Sequence, residues 1–61
     1  MEFKVVLKSQ HDKALPALFW AKDNCKSYVR NDGYDDDEGE SVYIFYFSNE
    51  SDATLFALKW L

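Results

Sequence analysis

Apolar and polar residues alternate with period two over residues 2–8, EFKVVLK. Phe3, Val5 and Leu7 point one way, and Glu2, Lys4, Val6 and Lys8 the other, which predicts a half-buried strand. Lys4 and Lys8 suit a sheet edge that must avoid unwanted pairing. Ser9, Gln10, His11 and Asp12 then form a polar break. Beyond it the apolar spacing changes to three and four: Ala14, Leu15, Leu18, Ala21 and Cys25 share one face, predicting a helix over residues 13–25. Asp12 is placed to cap it, and Pro16 is tolerated only in a first turn. Phe19 sits beside that stripe, over Leu15. Trp20 lies about 200° round the helix from Leu18 and is expected to be partly covered.

Residues 26–30, KSYVR, read as a short second strand. The following NDGYDDDEGE, with Gly33 and Gly39 bracketing an acidic run, reads as a long hairpin loop. Residues 41–47, SVYIFYF, are the strongest strand signal, because every residue from 42 to 47 is β-branched or aromatic. A second helix follows. Asn49 is placed to cap it, with Asp52 three residues on in the capping-box position and Ser51 as the competing cap. Ala53, Phe56, Ala57 and Trp60 form its inner face, widened by Leu55 and Leu58.

The order β-α-β-β-α predicts an α+β fold in a single domain, residues 1–61. Three antiparallel strands, in the order 1-3-2, carry both helices on one face. That is a ferredoxin-like fold without its last strand, and its central strand is the one apolar on both faces. Two helices cover one face only. Val42, Ile44 and Tyr46 alternate with Tyr43, Phe45 and Phe47, so either choice leaves large apolar groups on the other side. Three in a row make a patch of the kind that marks an interface. Lys and Arg stems on the outer strands are the alternative cover. The uncovered first strand also offers an edge that could pair with a second copy.

Composition narrows the functional classes. The chain has 61 residues and a net charge of -4. Residues 1–30 hold six basic and three acidic groups, whereas residues 31–61 hold one basic and eight acidic groups. This balance disfavours nucleic acid as a partner. A chain this small buries only about 60% of its unfolded surface, so it depends on added stabilisation. Cys25 is the single cysteine, which excludes an internal disulfide. With His11 it supplies only two ligands of zinc type. The longest apolar run, residues 42–47, is far short of a membrane span. No signal segment is visible, and one unpaired cysteine favours a reducing cytoplasm.

Catalytic constellations fail on spacing. His11 and Cys25 stand at opposite ends of the helix, on the order of 20 Å apart at 1.5 Å per residue, too far for a nucleophile and its base. No G-x-S-x-G elbow, P-loop or G-x-G-x-x-G occurs. The EF-hand pattern fails as well, because placing Gly39 sixth puts Tyr34 first and Phe45 twelfth. No enzyme, cofactor or metal is expected. The acidic run Asp32, Asp35, Asp36, Asp37, Glu38 and Glu40 reads either as a solvated hairpin tip or as a loop that steers a basic partner.

Residues 46–61, YFSNESDATLFALKWL, carry Tyr46-Phe47, Glu50, Asp52-Ala53 and then Phe56-x-Leu58-Lys59-Trp60. This tail resembles a phrase found in small uncharacterised proteins of tailed bacteriophages, cyanophages among them. The resemblance covers about a quarter of the chain. It implies a phage-encoded protein made in a bacterial cytoplasm, and that context suggests a host-takeover role. The expectation is a non-enzymatic module that binds a host protein with a basic surface, and that also forms a homodimer. Tyr43, Phe45 and Phe47 would provide apolar contact, with Tyr46 replacing them if the faces are reversed. Asp35, Asp36, Asp37 and Glu38 would provide charge. The alternatives are a structural homodimer or virion component without a host target, and a sheet that binds single-stranded nucleic acid.

Overall fold

The computed structural model describes residues 2–8 and 11–61, and the side chains of all of these but 11 and 12. The polar break at Ser9 and Gln10, the side chain of His11 and the expected cap at Asp12 therefore lie outside the described residues. Five elements follow in order: β1 (Phe3–Lys8), α1 (His11–Asn24), β2 (Tyr28–Asp35), β3 (Ser41–Phe47) and α2 (Glu50–Trp60). The sheet order is β1-β3-β2, and β3 is antiparallel to both neighbours. This is the expected ferredoxin-like β-α-β-β-α arrangement.

Register decides which face is covered. Phe3, Val5 and Leu7 of β1 stand opposite Phe47, Phe45 and Tyr43. Side chains directly opposite in an antiparallel pair share a face, so these six form one apolar surface. Both helices pack on it: Val5, Leu7, Phe45 and Phe47 join Ala17 and Ala21 of α1 and Ala53 and Phe56 of α2 in one core. Phe56 is at its centre, with ring centroids 4.8 Å from Phe45 and 5.2 Å from Phe47. Trp20 and Trp60 close the space between the helices at 6.2 and 6.4 Å from Phe56, and lie 6.5 Å from each other. The indole N–H of Trp60 is buried without a hydrogen-bond partner among the described residues, a cost set against this aromatic packing.

Three expectations about the helices are corrected. α1 starts at His11, so Pro16 falls in its second turn, where it withdraws one helical hydrogen bond. The buried face of α1 is Ala17, Ala21 and then Cys25, with Leu18 and Trp20 beside it, whereas Leu15 and Phe19 are 59% and 57% exposed. Small alanines let the helix approach the sheet, and Trp20 turns toward Trp60. The third correction concerns α2: Leu55 and Leu58 do not widen its inner face but are exposed.

The cap of α2 forms as expected. Asn49 Oδ1 accepts from the Asp52 N–H at 2.8 Å. The Asp52 carboxylate does not reach back along the helix. It accepts from the Ser27 N–H at 3.0 Å and the Ser27 hydroxyl at 2.7 Å, tying the start of α2 to the turn between α1 and β2.

Candidate interaction site

β2 runs to Asp35, five residues beyond its expected end at residue 30. Asn31, Gly33 and Asp35 have little strand propensity, but they zip onto Phe45, Tyr43 and Ser41 of β3. The expected ten-residue loop is therefore a tight turn over residues 36–40. Asp36 holds it. Its N–H donates to Glu40 O at 2.9 Å, and its carbonyl accepts from the Gly39 N–H at 3.0 Å. Its Oδ1 accepts from the Glu38 and Glu40 N–H groups, both at 2.9 Å. Gly39 adopts φ 80°, which a glycine takes without strain. Lys8 Nζ then approaches Asp36 Oδ2 at 3.2 Å and Glu40 Oε2 at 3.8 Å. The N–H of Glu40 is the main cause that lowers the Asp36 pKa, and the Lys8 ammonium adds to it. The hydrogen bond to Asp36 in turn raises the Lys8 pKa.

The acidic residues therefore divide by task. Asp36 spends Oδ1 on the turn and Oδ2 on Lys8 of β1. Asp35 accepts from the Ser41 hydroxyl at 3.2 Å. Asp37 and Glu38 are exposed at the tip, and neither carboxylate has a partner among the described residues. β2 is exposed from Val29 through Asp35, so the charged hairpin stands in solvent along its outer side.

The other expected contact residues lie elsewhere. Phe45 and Phe47 are 1% and 0% exposed, and Tyr43 is half-buried on the same covered face. Their assignment to an open apolar patch is corrected: the register with β1 turns them toward the helices. The open face carries Val42, Ile44 and Tyr46, the reversed case. A bulge between Tyr28 and Arg30 shifts the parity of β2, so Arg30 stands opposite Tyr46, Asp32 opposite Ile44 and Tyr34 opposite Val42. The Arg30 guanidinium lies 4.1 Å from the centroid of the Tyr46 ring and continues across β3 to Glu2, donating to its carboxylate oxygens at 2.9 and 2.8 Å. At the other end Val42 is buried between its cross-strand partners Lys8 and Tyr34. Basic side chains thus cover much of this face, as the alternative expectation had it. Val6 remains 43% exposed beside Ile44.

A cleft of about 330 Å³ lies where the hairpin passes beyond the core, lined by Gly33, Tyr34, Asp35, Ser41 and Tyr43. Gly33 lies against the Tyr43 ring, which a Cβ there would meet at 3.4 Å, an ordinary van der Waals contact. Cys25 is buried, and desolvation raises its thiol pKa, which disfavours the reactive thiolate. No group of three or more candidate metal ligands comes together among the described residues. No helix among them is long and apolar enough to cross a membrane.

Two features of this surface escape sequence reading. One is the role of Asp36, although an Asp two residues before an acceptor-seeking N–H is a known turn signal. The other is the Arg30–Tyr46–Glu2 strap, which needs the bulge to exist. Comparison with protein-family models, curated proteins and solved structures finds no match.

Proposed function

We propose that this chain is a non-enzymatic protein-binding module that presents its β2–β3 turn to a basic surface of a partner protein. The observation that carries this reading is the division among the acids. Asp36 is consumed in building the turn, which leaves Asp37 and Glu38 presented at its tip. A fixed backbone lowers the ordering cost of binding, and clustered carboxylates raise the encounter rate with a cationic surface. The open sheet face is the lesser contact, with Tyr46, Ile44 and Val6 in place of Tyr43, Phe45 and Phe47. A base-stacking role is less well supported, since Arg30 already occupies the ring of Tyr46. The resemblance of residues 46–61 to tailed-phage proteins points to a bacterial cytoplasm as the source of the partner.

The test is affinity capture from bacterial lysate with wild type and with an Asp37→Asn, Glu38→Gln variant, which leaves Asp36 intact. For any protein captured, association with the variant is expected to be slower and its salt dependence flatter. An unchanged rate and slope would remove the tip from the contact.

A further inference from the structure

β2 is an outer strand of the sheet, and the turn fixes which of its backbone groups face outward. The Asp36 N–H donates to Glu40 O, so residues 36 and 40 form a hydrogen-bonded pair across the hairpin. Bonded and non-bonded pairs alternate down an antiparallel ladder. Asp35 with Ser41, Gly33 with Tyr43 and Asn31 with Phe45 are therefore non-bonded pairs. The N–H and C=O groups of Asn31, Gly33 and Asp35 point away from β3, and no strand receives them among the described residues. Such an edge is a template for an added strand, which takes its affinity from the ladder and its specificity from pockets for alternate side chains.

The cleft beside this edge is such a pocket. Gly33 and Asp35 share a face with Tyr43 and Ser41, and these four line it together with Tyr34. Gly33 places no side chain between the free edge and the Tyr43 ring, whose Cδ1 and Cε1 lie 3.4 and 3.5 Å from the site of its missing Cβ. A residue of an added strand opposite Gly33 can therefore lay its side chain across that gap onto the ring, whose face attracts a guanidinium. Asp35 supplies the matching charge. Its Oδ1 accepts from the Ser41 hydroxyl, and no cation of the chain pairs with it among the described residues. Arg30 is held by Glu2, and Lys8 by Asp36 and Glu40. Asp37 and Glu38 extend the same negative field toward the tip. β2 has no uncommitted cation to offer in return, so a second copy of this strand is the wrong occupant.

We infer that the partner is held by strand addition: an extended, arginine-bearing segment of the partner protein pairs antiparallel with the outer edge of β2. Its residue opposite Gly33 is an arginine, seated in the cleft over Tyr43 and beside Asp35. The inference rests on the hairpin reading for the sign of the partner's charge, and adds the backbone ladder and the pocket that hold it.

The test is titration of the isotopically labelled wild-type chain with an acetylated, amidated heptapeptide of alternating arginine and valine, followed by NMR. At saturation the Asn31, Gly33 and Asp35 amides are expected to exchange with solvent about tenfold or more slowly, while the Tyr34 N–H, which faces β3, is unchanged. N-methylation of the peptide's arginines removes the donors that face β2 and should weaken binding about tenfold or more. Gly33→Val, which fills the gap beside Tyr43, should weaken it as well, with near-UV circular dichroism showing the fold intact. A peptide with glutamate in place of arginine should not bind. Binding that perturbs Asp37 and Glu38 but not the edge amides, or that survives N-methylation, would overturn strand addition and leave the hairpin reading standing. Absence of peptide binding, or equal binding of the glutamate peptide, would overturn strand addition too. Capture with the Asp37→Asn, Glu38→Gln variant decides the role of the tip separately. The wild-type titration requires no variant to fold.

Discussion

β3 builds two faces from nearly the same residue types, yet different forces hold them. On the covered side Phe45 and Phe47 meet Phe56 at 4.8 and 5.2 Å in a buried aromatic cluster. On the open side Tyr46, Ile44 and Val42 meet no helix, and charged side chains from β1 and β2 reach over them. Arg30 bridges Tyr46 to Glu2, and Lys8 bridges Val42 to the hairpin turn. An apolar side chain in a sheet needs shelter from water, but a helix is only one way to supply it. The alkyl stem of a paired cation is another. The first is insensitive to salt and pH, whereas the second is coupled to both.

The largest effect should come from the covered side. Phe56→Ala removes the ring that contacts Phe45, Phe47, Trp20 and Trp60. A buried Phe→Ala change costs about 3–5 kcal/mol. For so small a chain that is enough to leave it largely unfolded, visible as lost near-UV circular dichroism. Tyr46→Ala on the open side should leave a cooperative thermal transition with a modestly lower Tm. If the two losses were equal, the distinction between the faces would fail.

Next in size is the loss at the tether between the helices. Asp52→Asn weakens the acceptor for both Ser27 groups, and Asn49→Ala removes the cap beside it, at about 1 kcal/mol. The Asp52 pKa is lowered from the ordinary aspartate value of 3.8, chiefly by the Ser27 hydroxyl and then by its N–H. A depressed folded pKa gives stability that is present above the unfolded value and is lost as pH falls through the folded one. Asp36 follows the same sign. Wild type should therefore lose stability below about pH 4. Asp52→Asn should lower Tm at neutral pH and flatten that acid arm. A variant that kept the full acid slope would show that Asp52 does not contribute to it.

Much of this was readable in advance, and the exceptions share a cause. The strand at 41–47, the cap at Asn49 and the strand order rest on local pattern and on connection rules, which a single sequence contains. The extent of β2 does not. Asn31, Asp32 and Gly33 are poor strand formers, and pairing with an unusually strong neighbour carried them into the sheet. The covered face of β3 was equally undetermined, because both faces are apolar and a one-residue slip against β1 would exchange them. Leu15 and Phe19 look like core residues by hydrophobicity. Ala17 and Ala21 displace them because the helix must lie close enough for Trp20 to reach Trp60. The acidic run was visible as charge, but the use of Asp36 as the turn's acceptor depended on where β2 stopped.

The smallest effect should appear on the open face, and salt should reveal it. Arg30 reaches both Glu2 oxygens through one guanidinium nitrogen and stacks its planar group on Tyr46, a task that an ammonium performs less well. Arg30→Lys keeps the charge and loses the planar stacking on Tyr46 that positions the donor to Glu2. At low ionic strength its Tm should fall slightly below wild type. Toward 1 M salt the Debye length shrinks to about 3 Å, and the gap should narrow as the ion pair is screened in both proteins. The deficit of a milder core variant, Phe56→Leu, should persist across the same range, because packing carries no charge to screen. A gap at Arg30 that ignored salt would assign the strap to stem packing over Tyr46 alone. The guanidinium's link to Glu2 would then be incidental to the stability of this face.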